Sequence, residues 1–285
     1  LDIVVEEDTM SNMKSVGRRC TCAVLTAAVL LVGPAQGADT TQPPFDPWQN
    51  MISPDRPGAA TPPSVMDRGV FQLETSFKSQ ITRPPDAPDV TTLDFPTLAR
   101  YGVGHRLEFR LESNTVSHEQ SVTGFADVSL ETKWLALDRP AGAIPSVALL
   151  PTVSLASGTS DFTAGKVQAG ISGLLGWTLR DGTTLALDSD VSRVVENSGD
   201  PYVWELGTQG AFEIPVRRNW AISGDLFVSS VLEGDSTAPW GADAAVEFYP
   251  NPDTQLDLIA IHTFTEPGTA TSLQVGFSRR IGTPR

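Results

Sequence analysis

From Gly69 onward, apolar and polar residues alternate with a period of two, and no helical period of useful length interrupts them. Leu107, Phe109 and Leu111 fall on one face of their run, while Arg106, Glu108, Arg110 and Glu112 fall on the other. Gly104-His105 joins that run to Leu98–Val103. Two alternating runs meeting at a tight turn that contains glycine predict a β-hairpin. About twelve such segments follow one another, over 70–81, 93–103, 106–115, 125–137, 145–157, 166–179, 184–196, 202–214, 220–231, 239–249, 255–265 and 271–281.

The links between segments alternate in length. Short ones lie at 104–105, 138–143, 180–183, 215–219 and 250–254. Longer or more polar ones lie at 82–92, 116–124, 158–165, 197–201, 232–238 and 266–270. Short turns at one end and longer loops at the other are the pattern of a bacterial outer-membrane barrel, with its short turns in the periplasm.

The two faces of the segments agree with this. Val167, Ala169, Ile171, Gly173, Leu175, Trp177 and Leu179 form one uncharged row, and Trp220, Ile222, Gly224, Leu226 and Val228 form another. The opposite rows carry the charge: Glu74, Lys78, Arg100, Glu108, Arg110, Asp127, Glu131, Lys133, Asp188, Asp190, Glu205, Glu213, Asp225, Asp243, Glu247 and Asp257. A soluble sandwich keeps its charge outside and its interior dry. Here the charged rows are assigned to the lumen, as pore-lining or plug-contacting residues, and the apolar rows to lipid. Aromatics add a separate signal. Tyr101, Trp134, Trp177, Trp220 and Phe248 fall near short turns, and Tyr202, Trp204, Trp240 and Phe264 near long loops. Two such girdles are expected where rings settle at the two membrane interfaces.

The N-terminal part differs. Lys14, Arg18 and Arg19 precede an uncharged apolar run, Cys20 to Val32, and small residues follow at Ala35 and Gly37. This is the layout of a secretory signal peptide cleaved after Gly37. The run is shorter than the roughly 20 residues that a helix needs to cross a bilayer. The acidic stretch before it fits neither part, and translation is expected to start at Met10 or Met13. Residues 1–37 are therefore assigned to an upstream extension plus signal peptide, 38–68 to a Pro-rich periplasmic arm or plug, and 69–285 to the barrel. The arm contains Pro43, Pro44, Pro47, Pro54, Pro57, Pro62 and Pro63, which exclude helix and central strand. Asp55 and Arg56 form a charged pair held stiff between Pro54 and Pro57. The arm is expected to enter the periplasmic mouth, with Asp55 facing Arg100 or Arg110 and Arg56 facing Glu74 or Glu108.

Both cysteines, Cys20 and Cys22, lie in the leader, so the mature chain has no disulfide and no thiolate chemistry. The formal net charge of −14 argues against nucleic acid as a partner. The three histidines, His105, His118 and His262, are far apart in sequence, and no metal site is expected. Ser160, Asp161 and His262 could meet at the outer rim, but ordinary rim polarity explains them as well. No catalytic residue and no cofactor is assigned, and the chain is not expected to be an enzyme.

Several stretches together resemble an outer-membrane, transporter-like family labelled for a phenol meta-degradation pathway. They are Asp55-Arg56-Pro57-Gly58, Gly69-Val70-Phe71-Gln72-Leu73-Glu74, Arg100-Tyr101-Gly102-Val103, Arg106-Leu107-Glu108-Phe109-Arg110, Gly124-Phe125-Ala126-Asp127 with Lys133, and Pro145 to Leu150 through Gly158. The end, Ser278-Arg279-Arg280-Ile281, lacks the terminal Phe usual in barrel proteins. The resemblance implies transport of small molecules, with hydrophobic or aromatic compounds suggested by the family label alone. The fold expected is all-β: a transmembrane antiparallel barrel of about twelve strands in the outer membrane of a Gram-negative bacterium. Its partners would be outer-membrane lipid, a small-molecule solute and the barrel-insertion machinery. The alternative function is a non-conducting structural or surface-interaction barrel.

Overall fold

A computed structural model describes residues 51–139, 142–195, 201–217, 219–232, 238–265 and 268–282. The expected signal peptide and the first part of the expected arm lie outside the described residues. The described residues belong to one compact unit, Gln42–Arg285.

The strands are β1 (Phe71–Arg83), β2 (Val90–Gly104), β3 (Leu107–Glu119), β4 (Val122–Gly124), β5 (Val128–Leu137), β6 (Ser146–Leu155), β7 (Gln168–Thr178), β8 (Thr184–Val194), β9 (Val203–Arg217), β10 (Trp220–Val231), β11 (Trp240–Asn251), β12 (Thr254–Thr265) and β13 (Gly268–Ile281). Every pairing between these strands is antiparallel and, apart from two, joins chain neighbours. The exceptions are β3 with β5, and β1 with β13, where Phe71 opposes Ile281 and Arg83 opposes Thr269. The β1–β13 pairing closes the sheet into a barrel of twelve strands. No helix occurs among the described residues.

Closure satisfies the backbone, because a closed antiparallel sheet has no edge strand left to seek partners. The period-two pattern then decides sidedness. On β10 the outward Leu226 is 66% exposed while the inward Ala221 is 0%; on β12 the inward Ile259 is 0%. The exposed apolar residues run round the wall, from Phe109 and Leu111 through Ile171, Leu206 and Ile222 to Leu258 and Val275. A continuous belt of that kind belongs against lipid rather than water. Both girdles are in place. Trp220 packs on Phe248 at 4.7 Å near the short turns, and Trp240 stacks on Phe264 at 4.2 Å near the long loops.

The predicted hairpin forms with its turn one residue later, at His105-Arg106, because the register shifts between Gly102 and Gly104. Pro96 sits at a second irregularity of β2, where a residue that cannot donate a ladder hydrogen bond does least harm. The expected loop over 116–124 is instead mostly strand. β3 runs on to Glu119 and folds back as β4, with Gln120 at φ 53 in the turn. The polar residues there concealed a hairpin that projects beyond the apolar belt.

A lipid-facing position and a lumen-facing one should respond differently to charge. Val246→Arg, on the outer row of β11, should cost about 2–4 kcal/mol if it lies at the bilayer midplane. Ser172→Arg, on the inner row of β7, should cost little. Urea unfolding in detergent or bilayers measures both, and equal costs would mean that inside and outside have been exchanged.

Candidate functional site

The chain ahead of β1 does not stay outside. Ile52 donates its N–H to the Pro252 carbonyl at 2.6 Å, at the short turn between β11 and β12. At the other end Gly69 donates to Gly102 at 2.8 Å, near the turn between β2 and β3. Between these two points the segment enters the lumen from the short-turn end and comes back out. It touches inward-facing residues of β1, β2, β3, β5, β7, β8, β10 and β12.

Asp55 is the centre of the contact. Its carboxylate lies 2.8 Å from Arg100 and 2.9 Å from Lys133, and it also pairs with Arg110. All three cations are nearly or fully buried, Lys133 at 0% exposure. Burial pushes the Asp55 carboxyl up. Arg100, Lys133 and Arg110 more than offset this and hold it well below the usual carboxylate range. The cations have wall partners too. Arg100 grips Glu108 with two hydrogen bonds, at 2.8 and 3.1 Å, and reaches Glu74 at 3.0 Å. Arg110 pairs with Glu131 at 2.7 Å. Lys133 differs: its hydrogen bonds go to the arm, to Asp55 and to the carbonyls of Pro62 at 3.0 Å and Ser64 at 3.2 Å.

The segment forms no helix or strand inside the barrel, so its peptide groups need other partners. Wall carboxylates supply them. Glu74 accepts from the N–H of Asp55 at 3.0 Å and of Arg56 at 3.2 Å. Asp225 accepts from Ala59 and, at 2.9 Å, from Ala60. Asp188 accepts from Thr61 at 3.4 Å, and Glu108 from Met66 at 2.6 Å. A Cβ on Gly58 would overlap the Asp225 carboxylate, which would have to swing away from the Ala59 and Ala60 N–H groups it holds. Val65 adds an apolar contact with the inward Leu135, Ala148, Leu150 and Leu174.

The remaining residues singled out from the sequence fall in several places. The Arg56 guanidinium turns to Asp257 at 3.0 Å and to Ser76 at 3.0 Å rather than to Glu74 or Glu108, and only the Arg56 backbone N–H meets Glu74. The reason is that Arg100 already occupies both of those carboxylates. Lys78 faces the lumen opposite Asp94. Glu205 accepts from Ser229, and Asp243 accepts from the Asp225 N–H at 3.1 Å. Asp127 does not line the lumen wall. It precedes β5 and binds the N–H groups of Ser157, Gly158 and Ala164 at 2.8–2.9 Å, which orders the loop between β6 and β7. Hydrogen bonds from that loop keep its carboxyl below the ordinary value, against the opposing effect of burial. His262 bonds Thr271 at 2.9 Å and is not joined to the Ser160–Asp161 pair. No group of three or more His, Cys, Asp or Glu is placed to hold a metal ion among the described residues. Above the arm, a cavity of about 220 Å³ is lined by Thr152, Ser154, Gln168, Gly170, Ser172, Asp190 and Ser192 among others.

Sequence reasoning missed Gly58 and Met66 as contact points. Only the proximity of Gly58 to Asp55 hinted at the first. The second depends on where the returning limb of the segment crosses the wall.

A closed twelve-stranded barrel with an apolar exterior and a polar, charged interior is an outer-membrane, porin-like β-barrel. The chain belongs to the family described as "Putative MetA-pathway of phenol degradation", whose model matches residues 54–281. The match therefore takes in Asp55 and the lumenal segment as well as the barrel. Among solved structures, an outer membrane channel from Pseudomonas putida F1 superimposes with a TM-score of 0.58 at 12% identity, over 79% of this chain and 99% of that one. The NanC porin superimposes with a TM-score of 0.51 at 11% identity, over 74% of this chain and 100% of that one. The CymD monoaromatic hydrocarbon channel gives 0.44 at 8% identity, over 77% and 90%. No curated protein is similar in sequence.

Gly58→Ala should unseat the segment while leaving the barrel intact. Maleimide labelling of a Thr61→Cys reporter should be slow in the parent and fast with Gly58→Ala; equal rates would contradict the packing described. Acidity should act late. A depressed carboxyl contributes stability above its unfolded-state pKa and loses it only as pH falls through the folded value. Lowering pH from about 7 to about 5 should therefore leave the Asp55 contacts in place, read as an unchanged ratio of the labelling rate in the parent to that in the Gly58→Ala variant, a ratio that cancels the pH dependence of the thiolate itself.

Proposed function

We propose that the protein is an outer-membrane channel for small molecules, and that the segment 51–68 is its plug. The observation that carries this reading is the contact between Asp55 and the cations of the wall. Lys133 is completely buried, yet its hydrogen bonds are made to the arm and not to the barrel. A barrel meant only to be rigid could pair Lys133 with its own wall, as Arg110 is paired with Glu131. A wall cation reserved for the arm suits a part that docks and leaves.

The family membership and the resemblance to channels and porins support transport over catalysis. The family description points to aromatic compounds as solutes. The cavity in the outer half of the lumen combines apolar wall, at Ala169, Ile171 and Val194, and polar groups, with hydroxyls, Gln168 and Asp190. An aromatic ring that carries a hydroxyl group matches both parts of that lining.

Planar-bilayer recordings test this directly. Lys133→Met should raise single-channel conductance or the time spent open, and deletion of 51–63 should raise it further. Breaking a buried ion pair costs about 3–5 kcal/mol, enough to shift a two-state plug decisively. Acids on the inner wall should favour cations over anions, and added salt should weaken that preference by screening. A non-conducting barrel, silent in all three forms, would instead favour a structural or surface-interaction role.

A further inference from the structure

The short-turn rim carries one arginine at almost every turn. Arg106 lies between β2 and β3, Arg139 between β5 and β6, Arg180 between β7 and β8, and Arg217 ends β9 beside Trp220. At the turn between β11 and β12 the role passes to Arg279 of β13, which bonds Asn251 at 3.2 Å. All five are exposed. Among the described residues, Arg106, Arg139, Arg180 and Arg217 make no ion pair. The acids of the same turns are Asp138, Asp181 and Asp253. Asp253 is held by Arg280 at 2.8 Å, and Asp181 accepts from the Thr183 N–H at 3.1 Å.

The arginines sit at a defined level. Arg217 is the register partner of Trp220, which is 44% exposed on the outer face. Arg279 continues the outward row of Leu273, Val275 and Phe277. Arg180 follows the exposed Leu179, three residues beyond Trp177. The collar thus lies one step outside the aromatic girdle, where the phosphates of the adjacent leaflet must be. The cations described at the opposite rim are engaged differently: Arg83 is paired with Asp89 at 3.5 Å, Lys166 lies over Tyr202, and Arg193 lies over Tyr202 and Trp204. Its described loop residues also include the acids Asp86, Glu119, Asp127 and Asp161.

We propose that this collar is a docking surface for anionic phospholipid headgroups in the leaflet at the short-turn end. Guanidinium groups bind phosphate through two parallel hydrogen bonds, and their stems lie along apolar surface while the head stays at the interface. An anionic headgroup carries net charge to satisfy a ring of cations, and a zwitterionic one does not. Placing such lipids on one side only would orient the barrel and crowd its short-turn mouth with negative charge.

Quenching by brominated lipids reads this out on the full chain. In a Trp204→Phe/Trp240→Phe background, the described tryptophans that remain, Trp134, Trp177 and Trp220, all lie near the collar. Dibrominated phosphatidylglycerol should bind at least about threefold more strongly than dibrominated phosphatidylcholine, as expected for several basic residues at a lipid surface. Arg106→Gln, Arg139→Gln, Arg180→Gln and Arg217→Gln together should bring the ratio to unity. The same four positions changed to Lys should keep a preference, which separates lost charge from lost folding. Equal binding in the parent, or a preference kept in the glutamine variant, would overturn the proposal.

Discussion

A peptide segment without secondary structure can lie inside a barrel only if something else satisfies its N–H and carbonyl groups. That requirement organises the lumen of this protein. Glu74, Glu108, Asp188 and Asp225 each accept from backbone N–H groups of the arm, while Lys133 and Arg100 donate to its carbonyls. The side chains of the barrel do for the arm what a neighbouring strand does elsewhere. Much of the acidity of the inner wall is accounted for in this way, before any effect on passing ions is considered.

The charges have a second consequence. Arg100 and Arg110 are direct register partners on β2 and β3 and face the same way. Like charges so placed are destabilising unless a counter-charge lies between them. Asp55 supplies it, together with Glu108 and Glu131 on either side. The wall and the arm therefore depend on one another. In a partly desolvated lumen such pairs act more strongly than at a surface, and losing one member leaves a buried charge without compensation.

Charge is also arranged differently at the two ends of the barrel. At the long-loop end the cations Arg83, Lys166 and Arg193 engage Asp89 or aromatic rings, and Asp127 uses its carboxylate to order one loop. The short turns carry arginine beneath the girdle of Tyr101, Trp134 and Trp220.

The twelve strands of the barrel wall and their sidedness were legible in the sequence, because a period of two needs no knowledge of distant residues; β4, in a polar stretch, was not. Val246 had to face the side opposite Glu247 whichever fold formed, and twelve such runs with uncharged outer rows leave little besides a membrane barrel. The conflict-prone pair Arg100 and Arg110, set near a rigid Asp55, also marked where the arm would be wanted. What the sequence could not hold is the identity of contacts between residues far apart in the chain. Arg56 met Asp257 because Arg100 already held Glu74 and Glu108, an outcome of competition among neighbours brought together by closure. Asp127 kept the parity of its row but fell beyond the end of β5, where the hydrogen bonds of a folded loop claimed it. Gly58 came to matter only when the Asp225 carboxylate arrived where its side chain would have been. Local alternation determined which way each residue points, and barrel closure alone decided which residue waits there.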